Sequence, residues 1–107
     1  MTKVKFLCSD NLIKGFEISG HSGYADEGQD IVCSAVSSAA YLVANTVTEI
    51  KKINAKAEDK DGYMVFLIPD DEIDDCQDLM EGMLLHVNEL AKQYPDYLKV
   101  ERGAYNA

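Results

Sequence analysis

Residues 20–38 read GHSGYADEGQDIVCSAVSS, and the rest of the chain is arranged around this stretch. It begins with a glycine-bracketed loop that carries His21 and continues into a long apolar run from Ile31 onward. Asp30 stands just before that run, where a carboxylate can accept hydrogen bonds from the free amides of a first helical turn. The pattern therefore predicts a loop that ends at Asp30, with Asp30 as the N-cap of a long helix.

Cys33 falls in the first turn of this predicted helix. Unpaired N–H groups and the positive end of the helix dipole favour a thiolate there, and the same amides are a natural oxyanion hole. A thiolate is the nucleophile of cysteine hydrolases, and a neutral imidazole is the base that generates it. His21 lies twelve positions upstream, so the spacing permits a pair of Cys33 and His21 without establishing one. A buried structural cysteine is the alternative interpretation.

A family resemblance is carried by the same stretch. Residues 20–25 (GHSGYA), Gly28, residues 30–33 (DIVC) and residues 35–37 (AVS) resemble the signature of the ribosomal-processing cysteine protease family, also called the YsxB-like family. The motif is long and unusual, so the match is specific. Outside the motif, the similarity is one of element layout alone.

The resemblance implies a cysteine endopeptidase whose catalytic residues are Cys33 and His21. Its implied substrate is a large-subunit ribosomal protein made with a short N-terminal extension, which is removed during ribosome assembly. Gly20 and Gly23 permit close backbone approach, so the loop is either an ordinary surface loop or one that contacts substrate and closes over the cysteine. Ser37, one turn beyond Cys33, either touches substrate, as the resemblance suggests, or eases packing.

Asp30 has two candidate roles in this scheme. It either caps the helix or orients the imidazole of His21 as the third member of a catalytic triad. Asp26 and Glu27 are alternative residues for orienting that imidazole. His86, the only other histidine, is expected at the edge of the core or in solvent and is the fallback base.

Hydrophobic periodicity predicts five strands and two helices in the order β-β-α-β-β-α-β. The predicted strands are residues 3–8, 12–19, 55–60, 63–68 and 97–102, and the predicted helices are residues 30–53 and a segment that ends near residue 94. This order implies an α+β fold with a mostly antiparallel sheet on which both helices pack. The first helix is apolar almost all round, so we expect the sheet on one side and another helix or subunit on the other. That expectation agrees with the homodimer that the resemblance implies.

The composition indicates a single globular domain over residues 1–107, because 47% of the residues are hydrophobic and 27% are charged. The net charge of −9 argues against nucleic acid as a partner. It fits a basic ribosomal protein as substrate, or it merely keeps the protein soluble. Apolar runs are interrupted by polar residues and no secretory signal is recognisable, so we expect a cytoplasmic protein without a membrane partner.

Neither a metal nor a cofactor is expected. Three widely spaced cysteines, Cys8, Cys33 and Cys76, form neither a disulfide framework nor a zinc motif. The loop mixes hard oxygen ligands with a soft sulfur ligand at no standard metal spacing. A phosphate-binding loop is disfavoured because no Lys or Arg occurs between Lys14 and Lys51.

Two functions from other classes stay open. A non-catalytic ribosome-associated binding module would use the acidic surface to hold a basic protein, and Cys33→Ala would leave its function intact. A thiol redox sensor would oxidise Cys33 reversibly without cleaving a peptide.

Overall fold

The computed structural model describes residues 1–20 and 27–106. In the turn formed by residues 27–30 it describes the backbone without the side chains. Three residues singled out above, His21, Gly23 and Asp26, lie outside the described residues. The side chains of Glu27 and Asp30 lie outside them as well.

The strands and helices follow each other in the predicted order. The strands are β1 (Thr2–Ser9), β2 (Leu12–Ser19), β3 (Lys56–Lys60), β4 (Tyr63–Leu67) and β5 (Leu98–Ala104), and the helices are α1 (Glu27–Asn45) and α2 (Gln77–Gln93). Two short 3₁₀ turns, Asp70–Glu72 and Asp74–Cys76, precede α2. The predicted order is confirmed, and the strand boundaries agree with prediction to within two residues.

The sheet has the strand order β3-β4-β2-β1-β5. Two hairpins supply four of these strands, and the β3–β4 hairpin turns at Asp61 and Gly62, where Gly62 has the positive φ of 76° that such turns require. After α2 the chain returns to the far edge of the sheet, where β5 pairs with β1 in parallel. The other strand pairs are antiparallel, which confirms the mostly antiparallel sheet.

The hydrophobic core lies between one face of the sheet and the two helices. Phe16 is paired with Phe6 on one side and Phe66 on the other. Its ring is tilted against that of Phe6 at a centroid distance of 6.4 Å and stacks on that of Phe66 at 5.5 Å. Cross-strand aromatic contacts of this kind stabilise a sheet beyond the area they bury. The helices close the core with buried side chains, namely Val32, Val36 and Val43 from α1, Val47 from the helical turn that follows it, and Met80, Met83 and Val87 from α2.

The start of α1 differs from the prediction. The helix begins at Glu27, so Asp30 lies inside it, and the prediction that Asp30 is the N-cap is wrong. The first turn, residues 27–30 (EGQD), has no large apolar side chain, so a search for apolar periodicity places the start one turn too late. At its other end, α1 passes into a π-helical turn, Thr46–Ile50, where the amide of Lys51 donates to the Thr46 carbonyl at 2.8 Å. The helical segment thus ends slightly before the predicted residue 53.

Among the residues that the structure describes, none covers one side of α1. The segment Ile31–Ile50 has the length and mean hydropathy, 1.5, of a helix that could cross a membrane, although 39% of it is buried inside this fold. Its buried side chains pack on the sheet and α2, which confirms the expectation of cover from two directions. Four large apolar side chains face outward with 45–76% of their surface exposed, namely Ile31, Tyr41, Leu42 and Ile50.

Candidate active site

Cys33 lies in the second turn of α1, because the helix begins at Glu27. Its backbone amide therefore belongs to the hydrogen-bonded interior of the helix and not to the four free N–H groups at the start. The prediction that amides around Cys33 form an oxyanion hole is wrong for this reason. The helix dipole also acts less strongly on the thiol than predicted, since its effect falls off beyond the first turn.

The side chain of Cys33 is enclosed by the strands. Only 8% of its surface is exposed, and its Sγ lies 3.1 Å from the hydroxyl oxygen of Thr2. Thr2 is the first residue of β1, and its side chain is fully buried. A hydroxyl at this distance forms a hydrogen bond with the sulfur, so the thiol is held by a polar group that comes from a different element.

Gly20 connects the same strand end to the loop that carries His21. It ends β2 with a positive φ of 87°, and a Cβ at this position would lie 2.4 Å from the Met1 carbonyl oxygen. The residue therefore has to be glycine for the end of β2 to approach the start of β1 so closely. His21 is the next residue, so the loop begins beside the strand end that touches Cys33.

The backbone of α1 places two further candidates near Cys33. Asp30 precedes it by three positions and Ser37 follows it by four, and residues at these separations are neighbours along one side of a helix. Ser37 is partly buried. The fallback base His86 is exposed on α2 and lines a different feature, the groove described next.

A groove of about 600 Å³ runs between α1 and α2 on the side away from the sheet. Its walls are mostly apolar, and the lining residues include Ala35, Ala39, Leu42, Leu79, Met83 and His86. Small side chains on α1 keep the helices close while leaving this space between them. The stripe of small residues was visible in the sequence, but the groove it forms with α2 was not.

The titratable groups whose pKa values are altered make contacts other than the one between Cys33 and Thr2. Burial raises the pKa of the Cys76 thiol, and hydrogen bonds to Asp59 and Glu17 raise the pKa values of Tyr41 and Tyr63. Within residues 1–20 and the chain after the loop, no three His, Cys, Asp or Glu side chains cluster as metal ligands would. The described residues therefore offer thiol chemistry at Cys33 and no candidate metal centre.

The comparison with protein families identifies the family to which this chain belongs. The family model described as cysteine protease Prp matches residues 1–99. The chain belongs to this family. Membership makes it a cysteine protease, and the order of its strands and helices agrees with that of the family's solved structures.

Known relatives are similar along most of the chain. The ribosomal processing cysteine protease Prp of Bacillus subtilis (strain 168) is 29% identical over 97 residues, which are 85% of this chain and 87% of that protein. The crystal structure of the Staphylococcus aureus ribosomal processing protease Prp with a substrate peptide superposes with a TM-score of 0.85 at 17% identity. The same protease with a covalently linked product peptide gives a TM-score of 0.81 at 18% identity. Both structures cover 96% of this chain and are covered over their full length.

Sequence reasoning missed Thr2 as part of the site. The predicted first strand began at residue 3, which left Thr2 outside it. The alternation of β1 contained a usable signal, because Thr2, Val4, Phe6 and Cys8 share one parity and therefore one face. A threonine in a row of core residues needs a buried hydrogen-bond partner for its hydroxyl group.

Proposed function

We propose that this cysteine protease removes the N-terminal extension of a large-subunit ribosomal protein during ribosome assembly, with Cys33 as its nucleophile. The family match over residues 1–99 is the observation that carries the proposal. The Bacillus subtilis relative is a ribosomal processing protease, which supports the substrate class. The net charge of −9 suits a basic ribosomal protein as the partner.

In the proposed reaction, His21 takes the proton from Cys33 and the thiolate sulfur attacks the peptide carbonyl carbon. The new C–S bond forms a tetrahedral intermediate, and the C–N bond breaks as the imidazolium of His21 gives its proton to the leaving amine. Water then hydrolyses the thioester and restores the thiol. The close approach of Gly20 to Met1 supports this pairing, because it starts the loop of His21 beside Cys33.

The remaining candidates have supporting roles in this mechanism. Asp30 orients the imidazole of His21, since the capping role is removed by a helix that begins at Glu27. Gly20, Gly23 and Ser37 contact the substrate, with the glycines letting its backbone approach the loop. No cofactor or metal takes part, because thiol and imidazole supply both nucleophile and proton transfer.

The proposed working form is a cytoplasmic homodimer of this single domain, residues 1–107. The exposed apolar side of α1 and the groove beside it support a partner on that face, since large apolar patches on soluble proteins mark interaction surfaces. The acidic charge supports a protein that binds neither nucleic acid nor membranes of anionic lipid.

The test uses peptides that span the N-terminal extensions of large-subunit ribosomal proteins, with products identified by mass spectrometry. We expect cleavage of one bond by the wild-type protein and a loss of about 1,000-fold or more in kcat for Cys33→Ser and for His21→Ala. His86→Ala is the matched control, because His86 is the other histidine and is exposed on α2. This control should cleave at the wild-type rate.

Three results would contradict the proposal. Cleavage that survives in Cys33→Ser would remove Cys33 as the nucleophile. A folded, reduced wild-type protein that cleaves none of the extended peptides would remove the proposed substrate class. Loss of cleavage in His86→Ala with activity retained in His21→Ala would identify His86 on α2 as the base in place of His21.

A further inference from the structure

The contact between Thr2 and Cys33 is unusual for its surroundings. Thr2 is the only polar residue that is buried among the residues whose side chains the structure describes, and it is 0% exposed. The positions that follow it on the inner face of β1 are Val4, Phe6 and Cys8, which are ordinary core residues. A buried hydroxyl needs hydrogen-bond partners, and the sulfur of Cys33, at 3.1 Å, is one of them.

The backbone holds this hydroxyl in a fixed place. Thr2 is paired with Leu98 of β5, and its amide donates to the Tyr97 carbonyl at 2.9 Å. On the other side, the Met1 carbonyl lies against Gly20 at the end of β2. Thr2 is therefore fixed between the last strand and the strand that leads into the loop of His21.

The direction of the hydrogen bond follows from the state of the sulfur. Either atom can be the donor while Cys33 is a thiol. A thiolate has no proton to donate, so the Thr2 hydroxyl must then be the donor. Hydrogen bonds to a charged acceptor are stronger than neutral ones, and a bond that favours the charged form lowers the pKa of the group.

We infer that Thr2 is a positioning residue, whose hydroxyl donates to the Cys33 thiolate and holds the sulfur in its reactive orientation. This inference rests on the proposed function, in which Cys33 is the nucleophile. The hydrogen bond from Thr2 replaces the stabilisation of the thiolate that a position in the first helical turn would have supplied. Cys33 lies one turn too far along α1 for the free amides to reach it. The donor thus comes from β1, 31 positions away in the chain.

Two substitutions separate the hydroxyl from the shape of the side chain. Thr2→Val keeps the branched shape and removes the hydroxyl, whereas Thr2→Ser keeps the hydroxyl and removes the methyl group. The measurement is the rate at which iodoacetamide alkylates Cys33 between pH 5 and 10, read from the Cys33 peptide by mass spectrometry. We expect the profile to move to higher pH in Thr2→Val and to coincide with that of wild type in Thr2→Ser, because only the serine keeps a donor for the thiolate.

The neighbouring charges are the same in both variants. On the elements packed around the pair, the titratable groups include the amino group of Met1 and Lys3 on β1 and Lys99 on β5, and Asp78 and His86 on α2 line the groove beside α1. Lys3 and Lys99 are paired with each other and exposed, and strand alternation puts them on the sheet face opposite Thr2. A difference between the valine and serine variants therefore reports the hydroxyl.

Peptide cleavage supplies the second readout. In Thr2→Val we expect kcat at pH 7 to fall by about tenfold with little change in KM, and to recover as the pH is raised, because the thiolate loses a charge-assisted hydrogen bond. Thr2→Ser should restore kcat. A merely structural role would lower activity equally at every pH and would leave the midpoint of alkylation unchanged.

The outcomes distinguish this inference from the proposed function. Identical alkylation profiles for wild type, Thr2→Val and Thr2→Ser, in variants with native circular dichroism, would overturn the role of Thr2. Alkylation reports the thiol whatever reaction it performs, so a raised midpoint in Thr2→Val, together with peptide cleavage that survives in Cys33→Ser, would support the hydrogen bond while rejecting the proposed nucleophile.

Discussion

At the scale of single residues, the three cysteines have different surroundings within the same small core. Cys8, Cys33 and Cys76 are all buried, and none of them is in a disulfide. Cys33 shares a hydrogen bond with Thr2, while Cys76 has 0% exposure in the turn that leads into α2. Burial raises the pKa of the Cys76 thiol, with Asp75 and Glu72 adding to the increase and Lys51 opposing it. Burial alone therefore does not distinguish a reactive cysteine from a structural one.

The raised pKa of Cys76 predicts a loss of stability in alkali. A thiol holds its proton more tightly in the folded state when its folded pKa lies above the unfolded value of about 9.0. As the pH rises past that value, the unfolded chain loses the proton first, so the free energy of unfolding falls. Urea unfolding of wild type and Cys76→Ser between pH 7 and 10 checks this. Cys76→Ser should be less stable at every pH but should lose less stability on going to pH 10.

Tyr41 and Tyr63 also affect the stability of the protein in alkali. Their pKa values are also raised, by hydrogen bonds to Asp59 and Glu17, and they contribute a fall of the same sign at higher pH. Both tyrosines are present in wild type and variant, so the difference between the two curves isolates Cys76. Parallel curves over the whole range would show that the Cys76 thiol ionises equally easily in both states.

At the scale of elements, the contact between β2 and β4 depends on a single glycine. Gly15 is paired with Leu67, and a Cβ on Gly15 would lie 1.9 Å from the Phe66 carbonyl oxygen, which belongs to the backbone. Next to it, the register between β1 and β2 shifts at Leu7 and Cys8, so that Lys14 is an extra residue in β2. Glycine at such a site permits the close backbone approach that a bulged strand needs.

Two alanine substitutions test this close approach. Gly15→Ala forces the two central strands apart, and we expect the free energy of unfolding to fall by about 3 kcal/mol, or folding to fail. Gly82→Ala in α2 is the matched control, because nothing lies within 4 Å of a Cβ at that position. A helix prefers alanine to glycine, so the control should gain about 0.5–1 kcal/mol. Urea denaturation followed by circular dichroism measures both, and equal stabilities would contradict the argument.

Helix α2 is also joined to the sheet by one side chain. The Oε1 atom of Gln77 accepts from the Ile13 amide at 2.8 Å, and its Nε2 atom donates to the carbonyls of Ile13 and Ile73 at 2.8 and 3.1 Å. These bonds satisfy backbone groups of β2 beside the bulge, which the strand ladder leaves unpaired. The first residue of α2 thereby fixes the position of the helix on the sheet.

At the scale of the whole molecule, charge and apolar surface are distributed unevenly. The sheet face opposite the helices carries charged side chains such as Lys3, Lys5 and Glu17. The helical side presents the groove and the exposed Leu42 and Leu85, which are 68% and 65% exposed. A homodimer would bury this apolar side and leave the charged face in water.

The proposed dimer predicts an effect at Leu42, which lines the groove. Leu42→Gln should raise the dimer dissociation constant by about tenfold or more, since burying a leucine contributes about 1.5–3 kcal/mol. Lys3→Gln is the control, because Lys3 is exposed on the sheet face opposite the helices. Sedimentation equilibrium measures both constants. A wild-type monomer at all concentrations, or an unchanged constant in Leu42→Gln, would contradict the proposed interface.

The sequence alone was enough for the local structure and for the family. Alternating apolar residues placed the strands to within two residues, and the Asp61–Gly62 pair identified a hairpin, because strand faces and tight turns depend on residues that are close in the chain. The motif of residues 20–37 placed the chain in the cysteine protease family for the same reason, since its residues lie close together in the sequence.

Contacts between distant residues needed the tertiary structure. The parallel pairing of β5 with β1, the approach of Gly20 to Met1, the bonds from Gln77 to Ile13 and the bond between Thr2 and Cys33 join residues that are 19 to 96 positions apart. Whether such residues meet depends on strand order and register, which no local pattern specifies. The polar start of α1 was missed because helix propensity without an apolar face gives no periodic signal. Cys33 was thus recognisable from the sequence as the proposed nucleophile, whereas its contact with the Thr2 hydroxyl was determined by how the sheet assembles.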